Sequence, residues 1–145
     1  MGDEAIVLPA GTELIVPAKT EQIPIISEFI EKLMSESGFG LKEIMEVQLA
    51  VEEACTNVVL YAYPGRGREG YIHITAKVGD GLILSIEDEG TPFDPTKHDA
   101  PSIQSSAEEQ PIGGLGIHLI KTYVDEVSYE FRDGKNVLRM VKNRS

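Results

Sequence analysis

A single cysteine, Cys55, in 145 residues leaves no material for a disulfide framework or a multi-cysteine zinc site. Histidine is nearly as scarce: His73, His98 and His118 stand far apart, without metal-ligand spacing. Positive charge is also in short supply. Thirteen Lys and Arg face 24 Asp and Glu, for a net charge of −11. Nucleic-acid phosphates and anionic lipid surfaces both call for basic patches, so the balance argues against direct nucleic-acid binding and against a membrane partner. No apolar run approaches the roughly 18 residues of a membrane-spanning helix. The acidic start, Met1 to Ile6, has no signal-peptide pattern. The expectation is a cytoplasmic protein.

What is present is ordinary globular composition, with 41% hydrophobic and 26% charged residues. The length suits one domain over residues 1–145. Leu14-Ile15-Val16 reads as a short strand. Thr20 is placed to cap a helix running to about Ser37, with Ile23, Ile26, Phe29, Ile30 and Leu33 at helical spacing and Gly38 and Gly40 stopping it. Leu41 to Tyr63 carries the strongest helical signal, with Ile44, Val47, Val51, Ala54, Val58 and Tyr61 on one seam. Ile72, Ile74, Ala76 and Val78 alternate with polar neighbours, as in a half-buried strand. Gly79-Asp80-Gly81 then turns into a strand whose inward face is Leu82, Leu84 and Ile86. Periodicity vanishes from Thr91 to Ile112, where four prolines fall, and a loop of that length is usually functional. A short helix follows Gly116, and an Asp133-Gly134 hairpin closes the chain. Mostly hairpin-linked strands with three helices predict an α+β two-layer sandwich: a mainly antiparallel sheet with helices on one face.

Three polar features interrupt this pattern. Glu53 and Asn57 lie four residues apart on the long helix, hence one above the other. A carboxylate and an amide oxygen so stacked suit a general base beside a hard cation such as Mg²⁺; taken singly, the pair also fits two solvated helix residues. Period two from Leu82, Leu84 and Ile86 carries the inward face onto Asp88. A buried carboxylate there must find donors, either an adenine amino group or the backbone turn at Glu89-Gly90. Gly113-Gly114-Leu115-Gly116 at a loop-to-helix junction would let backbone amides approach an anion, or serve as a hinge.

In order, Glu53-Ala54-Cys55-Thr56-Asn57, Asp88-Glu89-Gly90 and Gly114-Leu115-Gly116 resemble the three boxes of the GHKL ATPase superfamily, whose nucleotide-binding fold occurs in gyrase and the histidine kinases. Within it, the small single-domain anti-sigma-factor serine kinases look closest, and the resemblance covers essentially the whole chain. It implies Asn57 as the Mg²⁺ ligand and Glu53 as the base taking the proton of an attacking hydroxyl. It implies Asp88 as the adenine-reading carboxylate, with Gly90 keeping that turn open. Gly114, Leu115 and Gly116 would contact the phosphates of ATP, and residues 91–112 would form a mobile lid over it. The implied function is an ATP-dependent serine-protein kinase and anti-sigma factor. It would phosphorylate an anti-anti-sigma (STAS-type) protein and sequester a sigma factor, often as a homodimer. The alternative is an ATP-gated binding module of the same fold with little or no kinase activity. Two departures stand out. Pro92 replaces the second glycine of the usual D-x-G-x-G box, and Lys135-Asn136 follows Gly134 where a threonine near the adenine is common.

Overall fold

The computed structural model describes residues 6–7, 12–63, 70–97 and 116–144. Among the described residues, six strands form one sheet: β1 (Ile6–Val7), β2 (Glu13–Pro17), β3 (Tyr71–Val78), β4 (Gly81–Asp88), β5 (Glu126–Arg132) and β6 (Lys135–Asn143). Their order is β1-β2-β3-β4-β6-β5, and every neighbouring pair is antiparallel. Three helices accompany them: α1 (Ile23–Glu36), α2 (Leu41–Asn57) and α3 (Gly116–Tyr123). The α+β sandwich expected from the hairpin-linked strands is therefore the observed fold.

The strand alternation decides which face is covered. Leu14, Ile74, Ile86 and Leu138 lie in register across four strands and are all buried. Ile26, Ile30 and Met34 of α1 and Ile44, Val47, Val51 and Ala54 of α2 belong to the same core as that sheet face. Each such aliphatic contributes about 1.5–3 kcal/mol by leaving water. Period two along β4 carries the buried face on to Asp88, which is 4% exposed.

Several local expectations need correction. Thr20 is not the cap of α1. Residues Thr20–Gln22 form a 3₁₀ turn first, α1 starts at Ile23, and Pro24 occupies its first turn, where no intrahelical N–H bond is lost. Gly38 ends α1 with a left-handed φ of +86°, but Gly40 opens α2 instead of stopping α1, and its N–H donates to Glu43 Oε1 at 2.9 Å. Nor does the long helix stay α-helical to Tyr63. After Asn57 it widens into a π turn over Val58–Ala62, closed by the Tyr63 N–H on the Val58 carbonyl at 3.1 Å. That wide turn shifts the helical phase. Ala62 and Tyr63 are buried, while Tyr61, expected on the buried seam, is half-buried and stacks on Phe93. The Asp133-Gly134 turn is as expected, with φ of 55° and 78°.

Candidate functional site

The covered face of the sheet ends beside the π turn, and the polar residues of α2 and β4 meet there. Asn57, the last residue of α2, is 4% exposed. It lines a cavity with Ala54, Val58, Ala62, Ile86, Asp88, Phe93, Pro95, Tyr129, Asn136 and Leu138. The cavity is narrow, about 20 Å³, space for a single water. Asn57 Oδ1 is buried and has no hydrogen-bond partner among the described residues. One turn earlier, Glu53 Oε2 is in the same condition. Buried polar oxygens are nearly always satisfied, so two such atoms one turn apart mark a place built for something else. A hard cation with its phosphate ligand fits Asn57, because Mg²⁺ takes oxygen donors and needs few from protein when phosphates supply the rest.

Burial raises the pKa of Glu53, and the neighbouring charge of Glu52 raises it further. Both act in the direction that makes a carboxylate a better proton acceptor near neutral pH. Ser27 on α1 donates to Glu52 at 2.7 Å and so tethers that neighbour.

Asp88 stands at the end of β4. Burial raises its pKa, opposed by donors from Asn136 and from the Gly90 backbone. The Gly90 N–H and Asn136 Nδ2 both donate to Asp88 Oδ1, each at 2.8 Å. Gly90 has a packing reason as well. A Cβ there would fall 2.4 Å from the Ala62 carbonyl oxygen, so only glycine lets the turn pass under the π turn. The next residue seals that contact, the Thr91 N–H donating to the same carbonyl at 2.8 Å. Tyr63 braces the turn from the other side, its hydroxyl accepting from the Glu89 N–H at 2.8 Å and donating to the Tyr71 carbonyl.

The start of the expected lid, residues 91–97, folds back over this cavity. Phe93 stacks on Tyr61 with ring centroids 4.8 Å apart, and Pro95 is buried. Asp94 accepts from the Thr96 N–H at 2.8 Å, closing a local turn. The rest of the lid, with Gly114 and Leu115, lies outside the described residues. Gly116 is the first residue of α3. Lys142 reaches both Glu46 of α2 (3.0 Å) and the Tyr123 carbonyl ending α3 (2.7 Å), and α3 also touches the Pro95–Lys97 turn. The helix therefore runs antiparallel to α2, which sets Gly116 toward the Asn57 end.

The structure thus brings Asn57 and Asp88 to one cavity, with Gly90 bonded to Asp88 and Glu53 one turn away along α2. Cys55 does not take part. It is fully buried, and burial, with the charges of Asp88 and Glu52, pushes its thiol up to about 12. Asn136 is the site residue that sequence reasoning missed. It appeared only as a departure where threonine was expected, although Asp88 and Asn136 are direct partners across β4 and β6. Asp88 also lines a larger groove of about 370 Å³, with Tyr63, His73, Glu87, Glu89 and Lys135. Its acidic lining, with His73 already bonded to Glu13 at 2.7 Å, suits a polyphosphate poorly.

Comparison with known proteins points to the same fold. Residues 16–142 match the histidine kinase-like ATPase domain. The serine-protein kinase RsbW of Bacillus pumilus is 32% identical over 131 residues, spanning 86% of this chain and 81% of the relative. That of Bacillus cereus is 32% identical over 133 residues, spanning 87% and 81%. The chain belongs to the histidine kinase-like ATPase domain family, with RsbW serine-protein kinases among its relatives.

Proposed function

We propose that this chain is an ATP-dependent serine-protein kinase whose site is formed by Glu53, Asn57, Asp88, Gly90 and the glycines leading into α3. The observation that carries the reading is the pair of buried, unpartnered oxygens, Glu53 Oε2 and Asn57 Oδ1, on successive turns of α2 beside the Asp88 cavity. ATP would set its ring against Asp88 and its phosphates toward Asn57 and the start of α3, where Gly114, Leu115 and Gly116 belong to the phosphate loop. Asn57 would hold Mg²⁺, which when bound neutralises phosphate charge.

The chemistry asked of the protein is small. A serine hydroxyl of the acceptor attacks the γ-phosphorus, the bond to the β–γ bridging oxygen breaks, and ADP leaves. Glu53 takes the hydroxyl proton. Phosphoryl transfer is mainly positioning and charge stabilisation, and a base of this kind adds about 10²–10⁴-fold. The acceptor in this reading is an anti-anti-sigma protein of the STAS type, and the chain also sequesters a sigma factor, acting as a homodimer. Its acidic balance of −11 suits a basic protein partner.

The test is incubation with labelled ATP and candidate STAS-type proteins from the same organism. Phosphoserine on one of them, lost in Glu53→Ala while ATP binding persists, is the expected result. ATP binding and partner binding with no phosphoserine on any cognate partner would replace the kinase with a binding-only module of the same fold.

A further inference from the structure

Asn136 uses its whole hydrogen-bonding capacity. Its Nδ2 donates to Asp88 Oδ1 at 2.8 Å and to the Thr91 carbonyl at 3.0 Å. Its Oδ1 accepts from the Phe93 N–H at 3.0 Å and from the Tyr129 hydroxyl. Two donors and two acceptor positions are thus all engaged, and rotating the amide by half a turn would set oxygen against carboxylate and NH₂ against N–H. The residue is 5% exposed, so it is fixed as well as saturated.

This arrangement bears on Asp88. Both donors to the carboxylate, from Gly90 and Asn136, fall on Oδ1, and Oδ2 has no hydrogen bond among the described residues. A carboxylate with one oxygen doubly held and the other open can accept a hydrogen bond from a ligand without first rearranging. Such preorganisation is where affinity is gained. The same amide holds Thr91 and Phe93, so the turn after Asp88 and the wall of the cavity are set by one side chain.

We infer that Asn136 is a positioning residue for the nucleotide, fixing Asp88 so that Oδ2 is presented to the amino group of an adenine ring. The inference rests on the reading of Asp88 as the ring acceptor, and the experiment separates the two. Equilibrium binding of ATP and of GTP is measured by calorimetry on the full chain for the parent, Asp88→Asn, Asn136→Ala, Asn136→Asp, Asn136→Thr and the double variant Asp88→Asn with Asn136→Ala. Asn136→Asp keeps the shape and the acceptor for the Phe93 N–H but removes the donor to Asp88. Asn136→Thr keeps a hydroxyl donor.

Asn136→Ala and Asn136→Asp are expected to weaken ATP binding at least tenfold and to narrow its preference over GTP. Asn136→Thr should hold that preference within about threefold of the parent, and Asn136→Ala should add nothing once Asp88 is already Asn. A folded Asn136→Asp with parental ATP affinity and preference overturns the inference, as does an additive double variant. A purely structural Asn136 would lower Tm while leaving the preference untouched, which also overturns it. Should Asn136→Ala not fold, the contrast between the Asp and Thr variants decides the matter. If Asp88→Asn itself changes neither affinity nor preference, the reading of Asp88 fails, and the inference with it.

Discussion

Glu53 and Asn57 stand one helical turn apart on α2, and each carries a buried oxygen without a hydrogen-bond partner among the described residues. A helix that only had to pack would place satisfied or apolar groups there. The expected division of labour follows from chemistry. Glu53→Ala should retain ATP binding and lose phosphoryl transfer by about 10²–10⁴-fold. Asn57→Ala should weaken binding of Mg·ATP much more than binding of metal-free nucleotide, and calorimetry with and without EDTA reads the difference.

The pH dependence of transfer carries a sign. Burial and the adjacent Glu52 both raise the pKa of Glu53. The base works only when deprotonated, so the acid limb of the kcat profile should lie above the ordinary glutamate range. Glu52→Gln removes the second cause and should move that limb to lower pH. A limb at the ordinary glutamate position in the parent would remove Glu53 from the role of base.

Asp88 should show a conflict between function and stability. Its folded-state pKa is raised, mainly by burial. A group of this kind favours the folded state while protonated, below its unfolded pKa, and that contribution is lost as pH rises through the raised folded value. At pH 7 the buried carboxylate therefore works against folding. Asp88→Asn keeps an acceptor for Gly90 and Asn136 and should gain about 0.5–2 kcal/mol at pH 7 while losing ATP affinity. The gain should shrink on acidification, and thermal melts from pH 4 to 8 measure it.

Much of this site could be read along the chain because its signals are local. Spacing of four put Glu53 over Asn57, and period two put Asp88 on the buried face. The rest depends on contacts between distant residues. Gly90 is needed because the Ala62 carbonyl crosses it, 28 positions away in sequence. Asn136 reaches Asp88 only because β6 pairs with β4 and not merely with its hairpin partner β5. The π turn had no composition cue, since Val58-Val59-Leu60-Tyr61-Ala62 suits a plain helix equally well, and its effect was to exchange Tyr61 for Ala62 and Tyr63 in the interior.

Gly90→Ala tests that long-range contact. The added methyl would meet the Ala62 carbonyl at 2.4 Å, and backbone cannot yield as a flexible side chain can. The Thr91 N–H bond to the same oxygen would have to lengthen or break, tilting the turn that positions Asp88. A loss of about 1–3 kcal/mol in stability is expected, with ATP affinity falling further than stability alone explains. Retention of parental Tm and affinity would mean that the turn lies farther from the π turn.

The cavity beside Asp88 sets the last expectation. At about 20 Å³ it is far below the roughly 300–1,000 Å³ of a site that encloses a small molecule. Phe93, stacked on Tyr61, and the buried Pro95 fill the space against Asn57, Asp88 and Leu138. A ring can enter this cavity only if this segment moves, which makes association by this route slower than a simple encounter. Phe93→Ala removes the stack and part of the filling. In stopped-flow binding of a fluorescent ATP analogue, the variant should associate several-fold faster than the parent, because less packing has to be displaced. An unchanged association rate would mean that the ring reaches Asp88 without displacing Phe93.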